Sequence, residues 1–280
     1  IINMDKSELL NDYKKYGYVI QEKIFNENEI LRMRKEANDI LELIFNSSNE
    51  FKRKSKRFDL VSIDKINFMV RKIQPINDLS LLFTKISKDE RIIKPVSQFL
   101  MSEPELMEEK LNYKQILHAN YKFDIGKRTT DRFPIHNDYA YYKDQNYSKK
   151  TLTVAIAIDD CTPENGPIHI WPGSHKKHLC HEKVELGLQV KNGLIDNKAG
   201  IDLILPAGSI VFFSSLLVHS SRSNQTMKPR RMILFSYHPK SSDLVFDIRN
   251  RRVRYDESPY EMSYMKIKEK REVEEYLKLN

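Results

Sequence analysis

Cysteine is scarce in this sequence, and so are glycine and long apolar runs. The 280 residues include two cysteines, Cys161 and Cys180, whereas a secreted chain held by disulfides would carry more, in pairs. We therefore expect free thiols, a reducing compartment and a cytoplasmic protein. Eight glycines exclude a collagen-like chain. No run of roughly 18 apolar residues occurs, and the first residues lack the apolar segment of a signal peptide, so we expect no membrane association.

The residues that are abundant indicate a folded, positively charged protein. Hydrophobic residues make up 40% of the chain and aromatic residues 10%, which is enough for a sizeable core. The length favours a single domain over residues 1–280. A formal net charge of +8 raises the question of a nucleic-acid partner. Neither a recognition helix nor an aromatic RNA-binding motif accompanies that charge, so we do not expect nucleic acid to be the partner.

Residues 1–110 have the pattern of a helical region. The polar run that begins at Asn26 can cap a helix, and apolar residues recur at near-helical spacing from Ile30 to Ile44. A further helix is predicted from Asp89 to Met101. Before the long helix, the segment from Tyr16 to Ile20 predicts a short strand.

Short β-type runs bounded by turn residues follow over residues 111–239. No long helical stretch alternates with them, so the sheet should be antiparallel and the core a jelly roll or barrel. The predicted fold is mainly β with flanking helices. Residues 240–280 return to helical character and are predicted as a C-terminal helical extension. The clearest strands are Gln115–Phe123, Leu152–Ile158, Ile168–Trp171, Asp202–Leu205, Ser209–Phe213 and Arg231–Tyr237.

A possible metal site begins with His136 and Asp138, which lie two residues apart where a strand should end. Residues at this spacing point to the same face of a strand. Because such a pair often arises by chance, a third ligand from a distant strand is needed. His219 follows an apolar run and is the best candidate, although a lone histidine there is more often a satisfied core residue. Two histidines and an aspartate form the facial triad of non-haem Fe(II) oxygenases, but zinc hydrolases use a similar set, so the metal stays open.

Two polar residues after His219 point to an anionic ligand. Ser221 lies two positions on and faces the same side. Arg230 opens the last strong strand, where its guanidinium could bind the far carboxylate of a dicarboxylic acid. A surface arginine in a basic loop is the alternative interpretation of Arg230.

Five motifs follow one another in order along the chain. They are His136-x-Asp138, Pro163 to Pro167, Pro172 to Lys176, Gly208 before an apolar strand that leads to His219, and Arg230. Together they resemble the phytanoyl-CoA dioxygenase family over roughly the segment from Tyr13 to Tyr237. Members of that family are Fe(II)- and 2-oxoglutarate-dependent oxygenases on a double-stranded β-helix, a cupin-like jelly roll.

The resemblance implies roles for individual residues. It implies that the iron ligands, which are also the catalytic residues, are His136, Asp138 and His219. Arg230 would bind the C5 carboxylate of 2-oxoglutarate, and Ser221 would assist it. Asn120 and Tyr142 are similar in position to family residues that lie near the cosubstrate. Fe(II), 2-oxoglutarate and O₂ are therefore expected.

The resemblance also implies a reaction, in which 2-oxoglutarate is decarboxylated to succinate and CO₂ while an unactivated C–H bond is attacked. Relatives that halogenate have Gly or Ala in place of Asp138, so this carboxylate favours hydroxylation, or desaturation or ring closure after the same hydrogen abstraction. The basic loop Lys127–Arg132 suggests a small, anionic substrate. Hydroxylation of a protein or nucleic acid, and a non-catalytic jelly-roll binding protein, are the alternatives. The oligomeric state stays open.

Overall fold

The computed structural model describes residues 6–64 and 66–240, which form a β-rich core with helices on one side. In these ranges the α-helices are α1 (Lys6–Tyr16), α2 (Glu27–Glu50), α3 (Leu81–Ile86), α4 (Glu90–Leu100) and α5 (Tyr139–Tyr142). The strands are β1 (Tyr18–Gln21), β2 (Phe58–Ser62), β3 (Asn67–Ile73), β4 (Pro104–His118), β5 (Phe133–His136), β6 (Leu152–Ala157), β7 (Ile168–Ile170), β8 (His181–Val184), β9 (Gly187–Val190), β10 (Ile201–Asp202), β11 (Ile210–Ser214), β12 (His219–Ser221) and β13 (Met232–Pro239).

The strands form two antiparallel sheets and one hairpin. The large sheet has the order β1-β11-β6-β13-β4-β3-β2, and the small sheet has the order β10-β7-β12-β5. Within the described ranges, strands β8 and β9 pair only with each other, in a hairpin. Strands β6 and β11 are central in the large sheet and are buried on both faces, so they are mostly apolar, and every residue of both is buried.

Alternate residues of the large sheet supply two separate cores. In β6, Ala155 and Ala157 face the small sheet and pack with Ile170 of β7. Val154 and Ile156 face the other way and belong to the core that the helices cover. The small sheet therefore lies over one face of the large sheet, and the functional residues lie between the two sheets.

Helix α2 covers the opposite face of the large sheet. Its first turn is closed by a capping box, in which Asn26 accepts from the backbone amide of Glu29 at 3.1 Å and the Glu29 carboxylate accepts from the amide of Asn26 at 2.8 Å. The hydroxyl of Tyr113 in β4 donates to the Ala37 carbonyl at 2.7 Å, which fixes the helix against the sheet.

The structure confirms a mainly β fold with flanking helices and corrects several details. The helical prediction for residues 1–110 is wrong at residues 58–73, where β2 and β3 extend the large sheet. The strand predicted over Gln115–Phe123 instead spans Pro104–His118. Long-range pairing with β13 explains this difference, since Met232 and Leu234 are register partners of Asn112 and Lys110.

Three further expectations concern the cysteines, membrane association and the C-terminal extension. Both cysteines are free thiols, as predicted. In the residues that the structure describes, no helix is long and apolar enough to cross a membrane. The predicted C-terminal helical extension lies outside the described residues except for Lys240, and the single domain over residues 1–280 stays a prediction.

Candidate active site

Three predicted ligands meet between the two sheets. His136 ends β5 and His219 begins β12, and these residues are direct partners in the small sheet. Asp138 lies two residues beyond β5. Its Oδ1 is 3.7 Å from Nε2 of each histidine, and one ligand atom from each of the three residues lies within 4.8 Å of the others. All three side chains are therefore placed to bind one metal ion.

Hydrogen bonds hold these side chains in the orientation that metal binding needs. Nδ1 of His136 lies 2.7 Å from the Pro134 carbonyl, and Nδ1 of His219 lies 3.0 Å from the Leu217 carbonyl. A carbonyl only accepts, so each Nδ1 carries the proton and each Nε2 keeps its lone pair for the metal. Thr153 donates to Oδ2 of Asp138 at 3.0 Å, which leaves Oδ1 directed at the histidines.

The electrostatic surroundings favour the metal-binding forms. Burial, followed by the neighbouring His136 imidazole, lowers the pKa of His219 to about 4. Burial alone would raise the pKa of Asp138, but the imidazoles of His219 and His136 outweigh it and hold that pKa well below its usual range. Near neutral pH the imidazole of His219 is neutral and the carboxylate of Asp138 is ionised, as metal ligands must be.

A cavity of about 250 Å³ opens from the three predicted ligands, and Arg230 and Ser221, two of the four predicted cosubstrate residues, line it. Arg230 is 1% exposed, and one of its Nη atoms donates to the Gly166 carbonyl at 2.7 Å. Among the residues described, Nε of Arg230 and Oγ of Ser221 are buried without a hydrogen-bond partner. Buried polar atoms are seldom left unpaired, so these two indicate a polar ligand in the cavity.

The two remaining predicted cosubstrate residues, Tyr142 and Asn120, lie in different surroundings. Tyr142 is buried, lines the cavity and donates to the Glu108 carboxylate at 2.8 Å. Asn120 is exposed beyond the end of β4, does not line the cavity, and is tied to α2 through its carbonyl, which accepts from Asn49 at 3.3 Å. The prediction that Asn120 lies near the cosubstrate does not agree with this position.

Asn112 is the asparagine that lines the cavity, and sequence reasoning missed it. It lies in β4 opposite Met232 of β13, and its buried Oδ1 has no hydrogen-bond partner in the described part of the chain. The signal was available, because Lys110 and Asn112 alternate with the apolar residues Leu111 and Tyr113. Because the predicted strand begins only at Gln115, this alternation falls outside it, whereas the observed strand spans Pro104–His118.

The side chains around the cavity form two walls. The metal wall consists of His136, Asp138 and His219. The basic wall comes from β2, β3, β4 and the loop before β5, and it consists of Asp59, Arg71, Lys72, Glu108, Lys110 and Arg128. Of the predicted basic entrance Lys127–Arg132, Arg128 alone lines this cavity, whereas Lys127 and Arg132 are exposed.

The β8–β9 hairpin closes one side of the cavity, where Leu186 and Gly187 contribute to the lining. The backbone amide of Asn137, between two metal ligands, donates to Nε2 of His181 at 3.2 Å. The amide of Leu188 donates to the Tyr141 hydroxyl at 2.8 Å. Both contacts fix the hairpin to the segment that carries Asp138. Burial lowers the pKa of His181 to about 4, which agrees with its role as an acceptor.

Comparison with known proteins identifies this arrangement. The phytanoyl-CoA dioxygenase (PhyH) family profile matches residues 13–232. Ectoine dioxygenase from Stutzerimonas stutzeri (strain A1501) is 23% identical over 252 residues, covering 83% of this chain and 76% of that protein. Methylphosphonate hydroxylase from Gimesia maris is 31% identical over 144 residues, covering 50% of this chain and 47% of that protein.

A solved structure shows the same fold. EctD from S. alaskensis, crystallised with 2-oxoglutarate and 5-hydroxyectoine, superimposes with a TM-score of 0.61 at 19% identity, and the match covers 85% of this chain and 78% of that one. The fold is thus the double-stranded β-helix of Fe(II)- and 2-oxoglutarate-dependent oxygenases, as the sequence predicted.

Fold and site together define a 2-oxoglutarate-dependent oxygenase that uses iron and O₂. The chain belongs to the phytanoyl-CoA dioxygenase family. The residues present fit the cofactors of this class, because two imidazoles and a carboxylate suit Fe(II). The unpaired Nε of Arg230 and the unpaired hydroxyl of Ser221 in the same cavity suit a cosubstrate carboxylate.

Proposed function

We propose that this protein hydroxylates an unactivated C–H bond of a small, anionic metabolite and converts 2-oxoglutarate to succinate and CO₂. One observation carries the proposal. The three metal ligands and the buried, unpaired atoms of Arg230 and Ser221 open into one cavity. A metal bound there and a dicarboxylate held by Arg230 would lie side by side.

The chain's own residues hold and orient the reactants. His136, Asp138 and His219 would bind the iron. Arg230 would hold one cosubstrate carboxylate by a charge-assisted hydrogen bond, with Ser221 donating to the same group. Iron with 2-oxoglutarate and O₂ supplies the oxidising chemistry, which no amino-acid side chain provides. The two sheets and the hairpin exclude bulk water from the reacting groups.

Two features support hydroxylation of a small molecule. The carboxylate of Asp138 is buried and directed at both histidines, so the chain keeps the third protein ligand that halogenating relatives lack. The cavity of about 250 Å³ lies just below the roughly 300–1,000 Å³ that is usual for small-molecule pockets. The similar proteins named for ectoine and methylphosphonate point to small polar substrates. A protein or nucleic-acid substrate has no comparable support.

Oxygen-triggered succinate formation tests the proposal. The protein is loaded with Fe(II) and 2-oxoglutarate without oxygen, and succinate is measured after air is admitted. We expect succinate from the wild type and none above background from His219→Ala. His118→Ala, which changes an exposed histidine away from the cavity, is the matched control and should behave as the wild type. Wild-type protein that releases no succinate, or as much with zinc as with iron, would refute the proposal.

A further inference from the structure

A cluster of three buried polar side chains lies outside the cavity lining, where three segments of the chain meet. Lys114 of β4, Asp131 of the loop before β5 and Asn224 of the loop after β12 have exposed fractions of 0%, 3% and 6%, and we call them the buried cluster. Lys114 lies 3.3 Å from the Asp131 carboxylate, which also accepts from the backbone amide of Asn224 at 3.1 Å. A buried ion pair loses its hydration and adds little net stability, so its function here is better sought in how the three segments are arranged.

The buried cluster holds both ends of the segment 222–229, which connects β12 to the arginine of the cavity. At the start of this segment, the Lys114 side chain donates to the Arg222 carbonyl. At its end, the side-chain amide of Asn224 donates to the Lys228 carbonyl at 2.8 Å. The same amide donates to the Lys114 carbonyl, also at 2.8 Å, which ties the segment to β4. The chain between the second imidazole ligand and the arginine is therefore fixed to one strand of the large sheet.

Two contacts connect this segment and β4 to Arg230. The backbone amide of Arg230 donates at 3.2 Å to the carbonyl of Tyr113, the neighbour of Lys114 in β4. At the other end of the residue, the guanidinium donates to the Gly166 carbonyl at 2.7 Å. Gly166 packs directly on the Arg222 carbonyl that Lys114 holds, since a Cβ added to Gly166 would overlap that oxygen atom. The backbone and the guanidinium of Arg230 are thus both placed through neighbours of Lys114.

The backbone of β4 is irregular where it carries Lys114. Lys72 of β3 pairs with Asn112, whereas Val70 pairs with Gln115, so two residues of β4 lie opposite one residue of β3 in a β-bulge. Lys114 has a φ of +43°, which a residue with a side chain rarely adopts. A bulge changes the direction in which a side chain points. Lys114 therefore reaches the buried cluster, although strand alternation alone would direct it to the cavity with Asn112.

Asp131 compensates for buried positive charge on both sides. Burial, followed by the charge of Arg230, lowers the pKa of Lys114 to about 7, and the Asp131 carboxylate opposes this shift. Burial also lowers the pKa of the Arg230 guanidinium, and nearby acidic groups, Asp131 among them, oppose that shift as well. One buried carboxylate thus lies close to two buried cations, and its loss would leave both less well compensated.

We infer that Lys114, Asp131 and Asn224 are positioning residues, which hold Arg230 at the distance from the metal ligands that 2-oxoglutarate requires. The inference rests on the proposed function, in which Arg230 binds a carboxylate of 2-oxoglutarate. The three side chains lie outside the cavity lining, so they act through the backbone segments that they hold. A guanidinium displaced by about 1 Å would bind the carboxylate poorly, because charge-assisted hydrogen bonds depend on close geometry.

The affinities for two dicarboxylates of different length test this inference. 2-Oxoglutarate and 2-oxoadipate, which is one carbon longer, are titrated without oxygen into the protein loaded with Fe(II). We expect Lys114→Met to weaken 2-oxoglutarate binding by about tenfold and to reduce the preference for 2-oxoglutarate over 2-oxoadipate. Fe(II) affinity should change by less than about twofold, because the metal ligands are held by Pro134, Leu217 and Thr153, outside the buried cluster. Lys228→Met, at an exposed lysine of the same segment, is the matched control and should bind as the wild type does.

A double variant distinguishes positioning from a general loss of stability. Lys114→Met alone leaves the Asp131 carboxylate buried without its partner, so Tm should fall. Lys114→Met combined with Asp131→Leu removes both charges and should recover much of the lost Tm. Affinity for 2-oxoglutarate should nevertheless stay low in the double variant, because the Arg222 carbonyl and the Asn224 backbone amide still lack their partners.

Several results would overturn the inference. They are unchanged 2-oxoglutarate affinity in Lys114→Met, an unaltered preference between the two dicarboxylates, an equal loss of Fe(II) affinity, and recovery of 2-oxoglutarate affinity together with Tm in the double variant. If Lys114→Met does not fold, the double variant decides by the same criteria. If neither folds, the buried cluster serves folding and the inference is wrong. Wild-type protein that fails to bind 2-oxoglutarate with Fe(II) would instead refute the proposed function, on which the inference depends.

Discussion

The two walls of the cavity are organised in different ways. On the metal wall, His136 and His219 are held by the backbone carbonyls of Pro134 and Leu217. On the basic wall, the charged side chains hold one another, and Asp59 alone serves two arginines. The two histidines of the metal wall are thus fixed by backbone carbonyls and Asp138 by the Thr153 hydroxyl, whereas the charged side chains of the basic wall depend on one another.

This difference suggests how the cavity divides its tasks. Backbone carbonyls keep their positions when side chains change, so the metal wall is preorganised for one set of ligands. The charge of the basic wall changes with any single substitution in it, which allows the substrate to vary on a constant fold. Changes to the metal wall should abolish turnover, and changes to the basic wall should alter substrate choice.

Removal of a metal ligand should have the largest effect and should leave the basic wall unchanged. His219→Ala leaves two ligands on the metal wall, and we expect Fe(II) affinity and succinate formation to fall by at least about 100-fold. Calorimetric titration with Fe(II) and an assay of succinate measure these two quantities. Normal iron affinity in this variant would contradict the assignment of His219.

Loss of the buried Arg230 guanidinium should weaken binding of 2-oxoglutarate and should leave the metal wall and the basic wall unchanged. For Arg230→Met we expect the KM for 2-oxoglutarate to rise by about 30-fold or more, since a hydrogen-bonded charge is lost from a buried site. Fe(II) affinity should change by less than about twofold. Arg222→Met, at an exposed arginine paired with Asp202, is the matched control. An unchanged KM in Arg230→Met would show that 2-oxoglutarate binds elsewhere.

A smaller effect is expected from loss of the hydrogen bond that orients the Asp138 carboxylate. Thr153→Val keeps the shape of a fully buried side chain and removes its hydrogen bond to Asp138. We expect Fe(II) affinity to fall by about tenfold, because the carboxylate loses the contact that directs Oδ1 toward the histidines. The measurement is an Fe(II) titration alongside thermal unfolding. Wild-type affinity in a folded variant would mean that the backbone contacts of the histidines are sufficient.

The smallest expected effect concerns pH and the hairpin. The pKa of His181 is about 4 in the folded protein, below the value near 6.5 of an unfolded chain. The unfolded state therefore takes up the proton first, and stability should fall as pH decreases from about 6.5 to about 4. For this half-exposed side chain we expect a contribution of about 1 kcal/mol or less.

Chemical denaturation of the metal-free protein over this pH range measures the contribution. The same titration with His181→Gln should show a weaker decrease in the free energy of unfolding, while His118→Gln, at an exposed histidine, should follow the wild type. An identical pH dependence in all three proteins would argue against the lowered pKa of the half-buried His181.

The sequence was sufficient to select the four residues that the structure brings together at the metal wall and at Arg230. His136 and Asp138 are adjacent in one segment, and His219 and Arg230 follow at spacings that resemble a known family. Strand periodicity then fixes which side chains share a face. The structure brings all four residues to one cavity.

The basic wall could not be predicted in the same way. Lys72 and Lys110 are 38 positions apart in a segment whose local pattern was interpreted as helical, and they approach only because β3 and β4 pair in the large sheet. Strand formation there depends on distant partners, which local propensity does not report. The same long-range pairing shifted β4 and so placed Asn112, rather than Asn120, in the cavity.

The central claim is that one cavity holds iron and 2-oxoglutarate through His136, Asp138, His219 and Arg230. A crystal structure determined without oxygen, with Fe(II) and 2-oxoglutarate added and anomalous data collected at the iron edge, tests it most directly. We expect an iron peak bound by the three ligands and a cosubstrate carboxylate on the Arg230 guanidinium. Iron at another position, or 2-oxoglutarate bound away from Arg230, would contradict the claim.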